Sequence, residues 1–154
     1  MPVGRPSMGD SVEDLDLTVD PAALPEEWLG QPELMLRWTS KHAQALLEVD
    51  RAKAGLDVAK AMADREIREN PEKHGLTKVT EAVVANAVIL HPAVQAAVQV
   101  LGEARYAANL LQGAVHSIED RRRALQSMVE LGSREWFAGG DTPPTPRGVR
   151  PRGG

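Results

Sequence analysis

The side chains best able to do chemistry at neutral pH are four histidines, His42, His74, His91 and His116, and they fall singly in four different segments. A metal or acid/base site needs ligands that converge, and the only pairing at helical spacing is His116 with Asp120, which reads as a surface pair on one helix face. The carboxylates of Asp57, Asp64, Glu66 and Glu69 are interleaved with Lys60, Arg65 and Arg68, the charge lacing of an exposed helix. The chain has no cysteine, no phosphate-cradling glycine loop, no nucleophile elbow and no His-Glu-x-x-His pair. These residues predict a non-enzyme with no catalytic residues, no metal site and no cofactor.

Basic residues offer a different chemistry, the neutralisation of backbone phosphates. Lys53, Lys60 and Arg68 recur near one face of a long helical segment, Lys73 and Lys78 stand in a connector, and Arg121, Arg122 and Arg123 form the densest run. Arg122 occupies a position in an apolar seam where Leu or Val is expected; either the seam frays there or Arg122 pairs with an acid such as Glu130 or Glu66. Aromatic rings able to stack on bases are few: Trp28, Trp38, Tyr106, Trp136 and Phe137.

The elements that position these residues are helices. Gln31-Pro32 predicts the start of a first long helix, because proline in the first turn gives up an N–H that has no partner there anyway. Met35, Trp38, His42, Ala45, Val49, Ala52, Leu56, Ala59, Ala63 and Ile67 then recur at threes and fours until Asn70-Pro71. Gly55 interrupts this run at a cost of about 1 kcal/mol relative to Ala. Residues 71–79 form a connector, Thr80 an N-cap for a short helix over 81–90, and His91-Pro92 the start of a second long helix to about Leu131. Along it Val94, Ala97, Leu101, Ala104, Ala108, Leu111, Val115, Ile118, Arg122, Leu125 and Val129 alternate spacings of three and four. Val98, Ala107, Leu110, Ala114 and Met128 widen that seam beyond what one partner helix covers. The expected fold class is all-α, a helical hairpin or bundle of two long helices and a short connecting one.

With 42% apolar but 3% aromatic residues the core is thin, and a homo-oligomer is expected, with Leu101, Ala104, Ala108, Leu111, Val115, Ile118 and Leu125 as its interface. Residues 1–27 hold one Arg against seven acids and read as a disordered acidic arm, in which Leu15, Leu17 and Val19 alternate with acids as in a short docking strand. Residues 28–138 form the helical oligomerisation and DNA-binding domain, and 139–154 a flexible Pro/Gly/Arg tail. Residues 28–140 carry fourteen charges of each sign, so the net charge of −4 belongs to the N-terminal arm. The absence of an N-terminal apolar region, of an apolar run of ~20 residues and of cysteine predicts no membrane contact and a cytoplasmic location.

The stretch Leu36-Arg37-Trp38-Thr39-Ser40-Lys41-His42, followed by Lys53-Ala54-Gly55-Leu56-Asp57, Asn109-Leu110-Leu111 and Ile118 to Leu125, resembles the UvsY-like recombination mediator proteins of tailed bacteriophages. The similarity covers roughly residues 33–131. It implies an oligomeric ring that binds single-stranded DNA, contacts a recombinase and a single-strand-binding protein, and promotes recombinase assembly without hydrolysing anything. The family's DNA-contacting patch matches at Lys53, Leu56 and Lys60, whereas a basic residue of that motif corresponds to Gly55. The expected function is therefore a recombination mediator, with DNA held by Lys53, Lys60, Arg68 and Arg121 to Arg123. The rival expectation is a helical scaffolding or head-assembly protein of a virion.

Overall fold

The computed structural model describes residues 11–138. Among them there is no strand: the chain forms helices α1 (Leu24–Glu69), α2 (Glu81–Leu90) and α3 (Pro92–Ala138), with single 3-10 turns at Val12–Asp14, Pro21–Ala23 and Pro71–His74. The all-α hairpin expected from periodicity is the observed fold.

Local chemistry sets the ends of each element. The Asp20 carboxylate accepts the Ala22 N–H at 2.9 Å and turns the chain at Pro21–Ala23. Pro25 and the acids Glu26 and Glu27 then occupy the first turn of α1, where a missing N–H is harmless and negative charge meets the positive helix end. The expected start at Gln31-Pro32 is thus corrected: α1 begins seven residues earlier, at Leu24, and Pro32 lies inside it. Pro32 removes one hydrogen bond near the end of a helix that α3 supports along its length. At the other end Asn70 N–H reaches the Glu66 carbonyl at 3.0 Å, and the turn after Pro71 closes on Gly75 at φ 70°, a backbone conformation that favours glycine.

Thr80 caps α2 as expected, its hydroxyl accepting the Val83 N–H at 3.4 Å. His91 caps α3: its Nδ1 accepts the Ala93 N–H at 3.2 Å, Pro92 takes the first helical position, and α2 and α3 meet at a 58° bend. α3 extends to Ala138, beyond the expected end near Leu131.

α1 and α3 pair antiparallel along two buried clusters. Trp38 packs with Ala114 and Ile118, and Val49 with Leu101 and Ala108, flanked by Ala45, Ala52, Leu56 and Ala104. Residues expected at an oligomer interface take part in this pairing within the chain. Leu101, Ala108, Ile118 and Leu125 are buried within the chain itself, and Ala104, Leu111 and Val115 are partly buried against the same two clusters. Val129 of the seam, with Val98 and Leu110 beside it, stays exposed.

The acidic arm is corrected as well. Residues 11–20 form a strap lying on the hairpin, with Val12, Leu15 and Leu17 packed on the Trp38–Ala114–Ile118 cluster, and residues 24–27 belong to α1. Leu15 and Leu17 dock as anticipated, but not as a strand. Residues 1–10 and the expected tail over 139–154 lie outside the described residues.

Candidate nucleic-acid interface

The three consecutive arginines go to three different environments. Arg121 is the buried one, its side chain 9% exposed, ion-paired to Glu27 and donating to Gln31 Oε1 at 2.6 Å and to the Thr18 carbonyl at 3.3 Å. Gln31, itself buried, donates through Nε2 to the Ile118 carbonyl at 2.9 Å, so strap, α1 and α3 share one polar knot. Asp16 joins it. The Thr18 hydroxyl and amide hold the Asp16 carboxyl below the usual carboxylate range, and the Arg121 charge adds to the effect. Arg121 is therefore a structural cation and is corrected as a phosphate contact.

Arg122, expected in the seam, is exposed, and neither Glu130 nor Glu66 pairs with it. Period alone misplaced it by one residue, because the strap covers one side of α3 and shifts the buried line toward Ala114 and Arg121. Arg123 is tied to Asp120 at 3.0 Å.

On α1 the expected trio also separates. Arg68 forms a two-pronged pair with Glu81, at 3.0 and 2.8 Å, and bonds Asp64 at 2.9 Å, which raises its pKa and leaves it fastening α2 to α1. Lys53 stands 3.4 Å from Asp50, an exposed pair of small energetic weight, and Lys60 has no acid partner among the described residues.

At 100° per residue, Lys53 and Lys60 lie about 30–50° round α1 from its buried line, and Arg105 and Arg122 lie about 50° round α3 from theirs. With the helices antiparallel, all four fall on one flank of the hairpin, which we call the bare flank. Sequence reading missed Arg105; the signal was its place next to the seam position Ala104, on the side away from Glu103. Neither Arg105 nor Arg122 has an acid partner among the described residues.

The opposite flank carries the strap and, further along, an open groove of about 410 Å³ lined by Glu48, Arg51, Ala52, Gly55, Ala97, Val100 and Ala104. Arg51 and Glu48 pair across its edge at 2.5 Å. Lys41 lies over the Trp38 ring, 4.8 Å from its centroid, on this strapped flank.

A third cluster sits at the corner where α1, the Pro71 turn and α3 meet. Glu66 faces His74 Nε2 at 3.6 Å and His91 Nε2 at 3.4 Å, with the two rings 5.9 Å apart. His91 Nδ1 accepts the Ala93 N–H, which leaves its Nε2 on the side of Glu66. His74 Nε2 is buried in this corner without a hydrogen-bond partner among the described residues. No group of three His, Asp or Glu among the described residues is arranged to hold a metal ion.

Along the outer side of α1, away from α3, Leu36, Ala43, Leu47, Ala54 and Val58 follow one another at spacings of seven and four, all exposed, with Leu36 69% and Val58 58% accessible. No single helix among the described residues is long and apolar enough to cross a membrane. Comparison with protein-family models, with curated proteins and with solved structures gave no match.

Proposed function

We propose that the protein is a non-catalytic recombination mediator, a helical hairpin that assembles into a homo-oligomeric ring, holds single-stranded DNA and helps load a recombinase onto DNA coated by single-strand-binding protein. The observation that carries this reading is the bare flank. Lys53, Lys60, Arg105 and Arg122 line one side of the hairpin, and three of them lack an acid partner among the described residues. Four cations per chain bind a polyanion weakly, and repetition around an oligomer multiplies the effect. The apolar outer stripe of α1, together with the exposed Val98, Leu110 and Val129 of α3, is a surface available for contacts between copies. The resemblance of residues 33–131 to UvsY-like mediators supports the same reading.

A virion-assembly protein remains the second reading, favoured by that outer stripe, which suits any helical assembly. Anisotropy of fluorescent single- and double-stranded oligonucleotides across a salt series, with mass measured on the same sample, decides between them. A mediator binds single strands preferentially and loses affinity with a slope of about −0.7 per phosphate contact on a log–log plot. An oligomer indifferent to DNA at low salt leaves the assembly protein.

A further inference from the structure

We propose that Trp28 is a base-stacking platform at one end of the bare flank and that it gives the flank its preference for single strands over duplex. The proposal rests on the DNA reading of that flank and adds the part of the ligand that its cations leave unread.

Cations that track a backbone take any polyanion, because single strands and duplexes both carry phosphates. A preference between them needs a surface that the bases themselves touch, and in a duplex the faces of the bases are stacked on one another, out of reach.

The fold puts Trp28 in the right place. It lies about 70° round α1 from the buried line, on the side of Lys53 and Lys60. Its level along the hairpin is set by the residue before it, since Glu27 is ion-paired to Arg121 across the helices. One residue further on, each helix has turned by 100°. In an antiparallel pair equal turns lead to the same flank, so Trp28 and Arg122 emerge at one level beside the Glu27–Arg121 pair. Gln31 and the Thr18 carbonyl hold Arg121 from the other side, which makes that level a fixed one.

Exposure separates this ring from the others. Trp28 keeps 41% of its surface in solvent, whereas Trp38 keeps 1% and lies under the strap. Tyr106 is exposed, but it stands about 150° round α3 from the local buried line through Leu101 and Ala108, on the outer side of the helix. An open indole level with an exposed guanidinium that has no acid partner among the described residues grips one nucleotide twice, its base on the ring and its phosphate on the charge. From Trp28 to Lys60 the flank runs about 48 Å at 1.5 Å per residue, so a strand anchored at the ring follows the remaining cations along the hairpin.

The test measures binding of the full chain to three fluorescent probes of equal length across a salt series: a dT oligonucleotide, an abasic strand and a duplex. The abasic strand keeps the phosphates and lacks the bases. The unaltered chain is expected to bind dT about tenfold more tightly than the abasic strand with the same salt slope, because stacking releases no counterions. Trp28→Ala is expected to lose that tenfold on dT and to leave abasic binding, duplex binding and the slope unchanged, and Trp28→Phe to recover part of it. Arg122→Ala acts the other way, weakening dT and abasic strands alike and flattening the slope. Equal affinity of the unaltered chain for dT and the abasic strand overturns the proposal with no variant needed, and leaves the DNA reading standing. An abasic penalty that survives in Trp28→Ala overturns it by placing the stacking ring elsewhere. Equal losses on dT and abasic strands in a Trp28→Ala chain that keeps its helix content by circular dichroism also overturn it, by making Trp28 a packing residue. A chain that binds none of the three probes removes the DNA reading and this proposal together.

Discussion

Arg121 and Arg122 are neighbours in the chain and opposites in the fold. One lies under the strap, with its charge divided between Glu27, Gln31 and the Thr18 carbonyl; the other stands on the bare flank with no partner among the described residues. The two flanks differ in the same way: Arg121 on the strapped flank is tied into the structure, whereas Lys60, Arg105 and Arg122 on the bare flank have no acid partner among the described residues. A run of three arginines is therefore no measure of a DNA site, because a turn of 100° per residue sends consecutive side chains to different surroundings.

This contrast can be broken most severely from the strapped side. Trp38→Ala empties the centre of the cluster that the strap covers and is expected to destabilise the chain by about 3–5 kcal/mol in urea unfolding. A loss below about 1 kcal/mol would mean that the cluster is not the anchor described. Arg121→Met is expected to cost about 3 kcal/mol, because Glu27 and Gln31 lose their partner in a partly buried site, while Arg122→Ala changes stability by less than about 0.5 kcal/mol. Equal effects at the two positions would erase the distinction between the flanks. In DNA binding the order reverses, and Arg122→Ala or Lys60→Ala flattens the salt slope by about one phosphate contact.

Smaller changes sharpen the comparison. Gly55 has nothing within 4 Å of where a Cβ would stand, so Gly55→Ala is expected to stabilise α1 by about 0.5–1 kcal/mol, read as a rise in the urea midpoint. A drop instead would show that the open groove is tighter than the structure has it. The smallest effect expected is that of the surface pair between Arg68 and Glu81, which holds the Glu81 carboxyl below its ordinary value. A carboxyl with a depressed folded pKa stabilises above its unfolded value and loses that contribution as pH falls through the folded one. The difference between the unaltered chain and Glu81→Gln should thus be present at neutral pH and fade in acid; a difference that grows in acid would reverse the assignment.

Much of the fold was legible because the signals were local and strong. The Asn70-Pro71 stop, the Thr80 cap and the His91-Pro92 start need no tertiary information, and the threes and fours of α1 and α3 survive in the buried lists. Pro32 misled because proline marks a first turn well only when nothing upstream can helix, and Leu24 to Gly30 can. The extra apolar width of α3 was read as a call for other subunits. At Ala114 the cover comes instead from the strap, a segment too short and too acidic to announce itself by period. Of the expected DNA contacts, Lys53 and Lys60 fall together on the bare flank, while Arg68 and Arg121 are claimed by Glu81 and Glu27, partners 13 and 94 residues away that no spacing rule reveals.

That last separation has a consequence in time. The strap's Thr18 waits for Arg121, 103 residues downstream, and Trp38 waits for Ile118. At about 5–20 residues per second of synthesis, the strap remains unplaced for about 5–20 seconds after it is made. The strap, made before both long helices, is thus seated only when α3 arrives, and until then the apolar face of α1 is open to whatever chaperone or sister chain reaches it first.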